Sequence, residues 1–114
     1  MLFQPLSHEV SELAANLCSA FTDPTRILIL YTLHTQPRNV TALTHELGIT
    51  QPTASRHLKV LRDHGLVRTN RQGSCITYEL ADSRLIEALD ILRGVLRDTI
   101  TVKANLVADT AAKV

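Results

Sequence analysis

Two helix-forming segments separated by only three residues, Gly48 to Thr50, constrain the fold of this chain more than any other feature. The first segment, residues 42–47, follows Thr41 as a candidate N-cap, and Gly48 ends it. The second follows Thr50, also a candidate N-cap, and runs from Gln51 to about residue 64, where Gly65 ends it. Threonine favours N-caps and glycine favours the position just after a helix. A turn this tight, with glycine at its start, predicts a helix-turn-helix.

Two further helices precede this motif. Residues 7–20, with Ser7 as the N-cap, place apolar side chains at the spacing of an amphipathic helix. Asp23 suits an N-cap and Pro24 suits the first helical position, where a missing N–H costs nothing. A second helix should therefore run from Pro24 to about residue 34. Because it is apolar nearly all round, it should form the buried centre of the domain.

After Gly65 the apolar period changes from 3.6 to 2, which predicts two strands joined by a turn at residues 71–74. A last long helix follows, capped by Asp82 or Ser83. Its apolar positions alternate in steps of four and three, as in a coiled-coil seam. We interpret this face, together with the first helix, as a dimer interface. The seam residues are Leu85, Leu89, Leu92, Leu96, Thr99 and Leu106, and Lys103 interrupts the series between the last two.

The length and composition bound the class of protein. A chain of 114 residues with 45% hydrophobic and 20% charged residues makes one globular domain. We expect an ordered core over residues 7–107 and a frayed tail over 108–114. Two cysteines exclude a disulfide framework. No apolar run is long enough to cross a bilayer and no targeting segment begins the chain, so a cytoplasmic location without membrane attachment is expected.

The net charge of +1 hides an uneven distribution. Residues 51–72 carry five basic side chains against Asp63 alone, a balance of +4, whereas the segments before and after it are slightly acidic. A basic segment inside a neutral chain is typical of a site where a polyanion binds, although a solvated charged face would give the same pattern. The basic residues are Arg56, Lys59, Arg62, Arg68 and Arg71.

The helix that begins at Gln51 places these charges opposite its apolar face. At 100° per residue, Ala54, Leu58 and Leu61 point inward while Arg56 and Lys59 point outward. The sequence therefore predicts a double-stranded DNA interface. Gln51 and Arg56 are candidates for base contacts, because these side chains bond bidentately with adenine and guanine. The candidates for phosphate contacts are Thr53, Ser55, His57, Lys59, Arg68 and Arg71, with packing as the alternative role of His57.

Three segments resemble ArsR-type (SmtB/ArsR) winged helix-turn-helix repressors. Residues 21–30, FTDPTRILIL, are similar to the family's ALADPTRLRIL at the start of the second helix. Residues 51–67, QPTASRHLKVLRDHGLV, are similar to its recognition helix, SQPAVSRHLKVLREAGLV. Arg71-Gln72-Gly73, followed by Tyr78-Glu79-Leu80, resembles its wing. Order and spacing are kept throughout.

The resemblance implies a mainly α fold with a small β-hairpin between the fourth and fifth helices, dimerising through the first and last. It implies a homodimer bound to an imperfect palindrome in promoter DNA, as an autoregulated repressor released by an effector.

The known effector sites of the family do not carry over. The arsenic and cadmium sensors have a Cys-x-Cys pair in the third helix, where residues 40–46 hold no cysteine. In the zinc-sensor pattern Asp82 would be followed by a histidine two residues later, but Arg84 stands there, and Val95 replaces the next histidine. The persulfide sensors pair a cysteine near Tyr31 with one in the last helix, and both are missing. We therefore predict no metal ligands.

The two cysteines are the candidates for a thiol sensor. Cys18, near the end of the first helix, has the profile of a small buried hydrophobe. Cys75 begins the second strand. If it is exposed beside Arg71, its thiolate would be favoured and its oxidation would weaken DNA binding.

Several functions fit these observations. The first is the effector-released repressor. The alternatives are a thiol-, redox- or metal-responsive sensor with a non-standard site, an effector-independent repressor, and a winged helix that binds another protein through the same basic face. We expect no enzymatic activity and no cofactor, because Ser55 and His57 lie two residues apart on one helix and point about 200° from each other.

Overall fold

The computed structural model describes residues 3–112, with side chains from 4 to 108. The chain divides into two units, one up to Ser83 and one from Arg84 onward. A π-helical segment, Leu13–Cys18, follows α1. The elements are α1 (Phe3–Glu12), α2 (Pro24–Thr35), α3 (Val40–Leu47), α4 (Gln51–Asp63), β1 (Val67–Gln72), β2 (Cys75–Leu80) and α5 (Arg84–Ala112). The predicted order of five helices and one hairpin is confirmed.

The start of the first helix differs from the prediction. The helix α1 begins at Phe3, so the N-cap predicted at Ser7 is wrong, and the carbonyl of Ser7 accepts a hydrogen bond from the Ser11 hydroxyl inside the helix. Pro5 is tolerated because backbone N–H groups in a first turn have no intrahelical acceptor. The helix then widens over Leu13–Cys18 into i→i+5 geometry, which a pattern of period 3.6 does not reveal.

The helix α2 is the centre of the first unit, as predicted. The Asp23 carboxylate caps it by accepting a hydrogen bond from the Thr25 N–H at 2.8 Å, and Pro24 occupies its first turn. It packs against α3, α4 and β2. Leu28 on its outer side is 54% exposed. The fully buried large side chains around α2 are Ile29, Leu30, Leu43, Leu58, Leu61 and Leu66.

The helix-turn-helix has the predicted turn, but its first helix, α3, begins at Val40 and not at residue 42. Asn39, not Thr41, caps α3, since its side-chain oxygen accepts a hydrogen bond from the Ala42 N–H at 2.8 Å. At the other end, Gly48 adopts φ +64°, a left-handed conformation that costs residues with a Cβ about 1–2 kcal/mol. The carbonyl of Thr44 accepts from the Gly48 N–H, which ends α3 three residues before α4 begins.

The hairpin is longer and its turn tighter than predicted. Arg71 and Gln72, expected in the turn, are paired within β1, and only Gly73 and Ser74 connect the strands. A positive φ at Gly73 alone is the pattern of a type II′ turn, whose twist matches that of the strands. The backbone of Arg38, in the loop before α3, exchanges hydrogen bonds of 3.1 and 2.7 Å with Tyr78, which fixes the hairpin to the helices.

The second unit is the single helix α5, whose 29 residues extend about 43 Å. It begins directly after Ser83, one of the two predicted caps. Helical structure continues to Ala112, residues 113–114 lie outside the described residues, and fraying of 108–114 in solution stays a prediction. Ile86 and Leu89 are buried, whereas the large apolar side chains from Ile91 to Val107 are exposed. Within residues 3–112 no helix is both long and apolar enough for a membrane span.

Candidate nucleic-acid interface

The start of α4 is fixed by a threonine pair. The hydroxyl oxygen of Thr50 accepts a hydrogen bond from the Thr53 N–H at 3.3 Å, and the two threonine hydroxyls lie 2.8 Å apart. The Thr50 prediction is therefore confirmed. Gln51 and Pro52, both exposed, form the first turn. Thr53 is half-buried, and its hydroxyl oxygen accepts from the Thr50 hydroxyl. Its own O–H therefore remains to donate one hydrogen bond to a phosphate.

The two faces of α4 have the predicted opposite characters. Ala54, Leu58 and Leu61 are 0% exposed, so the inner face is fully packed. Arg56 and Lys59 are exposed, and neither forms an ion pair within the described residues. Two cations on an unpartnered helix face can form charge-assisted hydrogen bonds with an anion without first breaking an internal pair. Ser55, a candidate phosphate ligand, is exposed beside them.

His57 does not belong to this exposed face, so its prediction as a phosphate contact is corrected. Its side chain is only 5% exposed and lies among residues at the start of α2. A guanidinium can only donate, so Nδ1 of His57 accepts from Nη1 of Arg26 at 3.4 Å, and the proton belongs on Nε2. Nε2 faces Oδ2 of Asp23 at 3.7 Å. The alternative role in packing describes His57 correctly.

Arg26 connects three parts of the first unit through one guanidinium. It donates to the carbonyl of Ala20 at 2.8 Å, to the carbonyl of Ser19 at 3.3 Å and to the hydroxyl of Thr22 at 3.2 Å. Together with its contact to His57, these bonds join the end of the first helix, the connection to α2, and α4. The sequence analysis assigned no role to Arg26, although Arg26 stands within FTDPTRILIL, the segment that resembles the start of the family's second helix.

The electrostatics of this cluster keep His57 neutral. Burial lowers the pKa of His57 below its usual value, Asp23 opposes that shift, and the charges of Arg26 and Arg56 add to it. The hydrogen bond from the Thr25 backbone N–H lowers the pKa of Asp23 against the opposing effect of burial, and the charges of Arg26 and, in acid, of protonated His57 add to the lowering. At neutral pH the cluster therefore holds a carboxylate, a guanidinium and an uncharged imidazole.

The two arginines predicted in the hairpin differ in their surroundings. Arg68 and Glu79 are paired across the strands with Nε and Oε1 3.5 Å apart. Arg71 is exposed and has no ion pair in the described part of the chain. Alternation along β1 places the two arginines on opposite faces of the hairpin. An exposed ion pair contributes little, about 0–1 kcal/mol, so Arg68 can exchange Glu79 for a phosphate.

The cysteines differ from the predictions. Cys18 is exposed at the end of the π-helical segment, so its predicted burial is wrong. Cys75 is also exposed, but it pairs with Gln72 while Arg71 pairs with Ile76. Cys75 and Arg71 therefore project from opposite faces of the hairpin. Arg71 therefore does not lie beside the Cys75 thiol, and the argument from the sequence for a redox role of Cys75 does not hold.

Candidate metal ligands are not clustered in the part of the chain that the structure describes. Among residues 3–112 no group of three or more histidine, cysteine, aspartate or glutamate side chains is placed to hold an ion.

A tight helix-turn-helix, a second helix with an exposed cationic face, and an adjacent hairpin define a winged helix-turn-helix DNA-binding domain. A family model described as bacterial regulatory protein, arsR family, matches residues 23–69. The nodulation protein NolR of Rhizobium meliloti is 36% identical over 94 residues, which are 82% of this chain and 77% of NolR. The chain belongs to the ArsR family and is a transcriptional regulator, as the resemblance implied.

Solved structures agree with this assignment. The crystal structure of NolR from Sinorhizobium fredii matches with a TM-score of 0.71 and 35% identity, covering 81% of this chain and 92% of that one. The solution structure of a homodimeric winged helix-turn-helix DNA-binding domain from Mycobacterium bovis, a possible ArsR-family regulator, matches with a TM-score of 0.70 and 25% identity. The match covers 81% of this chain and 84% of that domain.

Proposed function

We propose that this protein is a homodimeric repressor that binds an imperfect palindrome in promoter DNA and lays α4 of each copy in the major groove. The observation that carries the proposal is the contrast between the two faces of α4. One face is fully packed on the core, and the other presents Arg56 and Lys59 without internal partners. A helix held in this way has a fixed orientation and free donors, which are the two requirements for reading base edges.

The exposed residues divide into two roles. Gln51 and Arg56, in the first two turns of α4, would contact base edges and supply the choice of sequence. The remaining donors would bind the sugar–phosphate backbone and supply most of the affinity. The proposed phosphate contacts are Thr53, Ser55, Lys59, Arg68 and Arg71.

The dimer interface that we propose consists of α1 and α5. Leu6 and Val10 on α1, and Leu92 and Leu96 on α5, are each 50% exposed or more. Exposed apolar stripes of this kind mark association surfaces, since a monomer gains nothing from presenting them to water. The homodimeric domain of Mycobacterium bovis supports a two-fold assembly. With two-fold symmetry, the two α4 helices would reach half-sites about one helical turn, or a multiple of it, apart.

We further propose that the repressor acts in the cytoplasm on its own promoter and that an effector releases it. The candidate effectors are an oxidant or sulfur species acting on Cys18 or Cys75, and a metal at a non-standard site. The alternative to effector release is a repressor that acts without an effector. Both thiols are exposed and free, so they are accessible to an oxidant.

A footprint on promoter DNA tests the proposed function. Purified protein is titrated onto a fragment from upstream of its own gene and onto a scrambled fragment of equal length and composition, at several salt concentrations. Protection of guanine N7 atoms in two major-groove patches on one side of the duplex, about 10 base pairs apart or a multiple of that, supports the proposal. Equal binding to both fragments, or no binding, contradicts it and favours a winged helix that binds protein. Repeating the titration with oxidant, Zn²⁺ or arsenite identifies the effector class.

A further inference from the structure

A cleft of about 340 Å³ lies between the last turns of α4 and one face of the hairpin. The strand register explains its composition, because Thr69 faces Tyr78 and Arg71 faces Ile76, and these pairs are two residues apart on the same face. One side chain comes from α4. The lining residues are Arg62, Thr69, Arg71, Ile76 and Tyr78.

The charge in this cleft is not balanced. Arg62 and Arg71 are both exposed, and neither forms an ion pair with any described residue. No carboxylate of the described side chains lines the cleft, since Glu79 lies on the opposite face of the hairpin with Arg68. Two unneutralised guanidinium groups at one concavity repel each other and favour an anion between them.

The donors suit a phosphate group in particular. Guanidinium groups bind phosphate oxygens in bidentate pairs. The hydroxyls of Thr69 and Tyr78 add two neutral donors, and neither has a hydrogen-bond partner within the described residues. The cleft therefore offers hydrogen-bond donors from three elements, α4, β1 and β2.

The cleft also continues a row of donors along α4. Ser55, Lys59 and Arg62 stand at positions i, i+4 and i+7, so they lie along one side of the helix. Ser55 and Lys59 are the phosphate contacts already proposed, and Arg62 is the next donor toward the hairpin. A DNA strand that follows this row would bring its next phosphate to the cleft.

We propose that Arg62, Arg71, Thr69 and Tyr78 hold one phosphate group jointly, and that on DNA this is a backbone phosphate flanking the groove that α4 enters. The inference rests on the proposed function. It assigns Arg62 a role that the sequence pattern did not, and it makes Arg71 part of a shared site rather than an independent contact.

The test compares R62Q, R71Q and the double variant R62Q/R71Q with wild-type protein. Neither arginine has an internal partner, so the variants should keep the wild-type circular dichroism spectrum and Tm. R97Q, which removes one positive charge from an exposed position of α5 that is not one of the seam residues, is the control for net charge. Affinity for the promoter fragment is measured by fluorescence anisotropy as a function of salt concentration.

We expect each single variant to bind about tenfold more weakly and to lower the magnitude of the salt slope by about 0.9, the value for one phosphate. A shared phosphate predicts that the double variant loses the same slope as either single variant. A loss of about 1.8 for the double variant would show two separate phosphates and overturn the shared site. Slopes equal to that of R97Q would overturn the proposal entirely.

A second arm separates the two sources of phosphate and does not depend on DNA. Inorganic phosphate is titrated into the wild-type protein and the double variant, with the chemical shifts of residues 62–78 as the readout and chloride at equal ionic strength as the control. Shifts in the wild-type protein alone, with normal DNA binding by the variants, would assign the cleft to free phosphate and overturn its DNA role. If wild-type protein binds no DNA, the proposed function fails, and this arm still tests the cleft.

Discussion

Nε2 of His57, on α4, lies 3.7 Å from Oδ2 of Asp23, the residue that caps α2. On its other side the imidazole accepts from Arg26, which also bonds to the end of the first helix. The helix that we propose to read DNA is therefore oriented by a polar cluster as well as by its apolar face. Arg56, the proposed base-reading residue, immediately precedes His57 in the chain.

The first prediction concerns the cost of breaking this cluster. His57→Ala should lower the free energy of unfolding by about 1–3 kcal/mol, because it leaves Nη1 of Arg26 without its acceptor in a part-buried site. His45→Ala, at an exposed position on α3, is the matched control and should have little effect. Urea denaturation measures both. Equal destabilisation by the two variants would mean that the cluster does not orient α4.

The second prediction is a pH dependence of stability. Because the pKa of His57 is lowered in the folded state, the unfolded chain takes up a proton first as the pH falls below about 6.5. The contribution of His57 to the free energy of unfolding is therefore fully present above that pH. It decreases below that pH by at most about 1.4 kcal/mol per pH unit. Thermal unfolding of wild-type and His57→Gln protein between pH 7.5 and 5.5 measures this. A wild-type curve parallel to that of His57→Gln would contradict the prediction.

The third prediction compares two glycines. Gly48→Ala should destabilise the protein by about 1–2 kcal/mol, because alanine is strained at φ +64° although its Cβ would meet no atom within 4 Å. Gly94→Ala, inside α5, should stabilise it by up to about 1 kcal/mol, since the added Cβ makes only an ordinary contact with Arg97. The free energies of unfolding should change in opposite directions. If both substitutions change the free energy of unfolding in the same direction, the left-handed conformation is not the reason why glycine stands at position 48.

The fourth prediction concerns the proposed dimer. Leu96→Glu on α5 should give a monomer in sedimentation velocity and weaken binding to a palindromic fragment, because it places a charge in the apolar interface. Leu28→Glu on α2 is the matched control, since Leu28 is 54% exposed against 58% for Leu96 but lies outside the proposed interface. It should remain dimeric. A Leu96→Glu protein with the wild-type sedimentation coefficient would exclude α5 from the interface.

The sequence predicted those parts of the fold that depend on local signals. The caps at Asp23 and Thr50 and the stop at Gly48 were correct because each is a short-range bond or a single backbone conformation. The π-helical segment was missed because its i→i+5 hydrogen bonds depart from the 3.6-residue period of an α-helix. The hairpin turn was placed too widely because arginine and glutamine carry no clear strand signal.

The site was predicted less completely, for a different reason. Helical geometry separated Arg56 and Lys59 from the packed face of α4, but it left His57 at the boundary between the exposed face and the packed face. Its burial depends on Arg26 and Asp23, which belong to another helix, and contacts between distant segments are not visible in a local pattern. The exposure of Cys18 depends in the same way on tertiary structure.

The most direct test of the central claim, that α4 reads bases through Arg56, is the affinity of two variants for promoter and scrambled DNA across salt concentrations. Arg56→Ala should lose about 1–3 kcal/mol of binding free energy on the promoter and much less on scrambled DNA. Lys59→Ala should weaken binding to both fragments equally and lower the magnitude of the salt slope by about 0.9, the value for one phosphate. If Arg56→Ala weakens both fragments by the same factor, Arg56 binds phosphate and α4 does not read sequence through it.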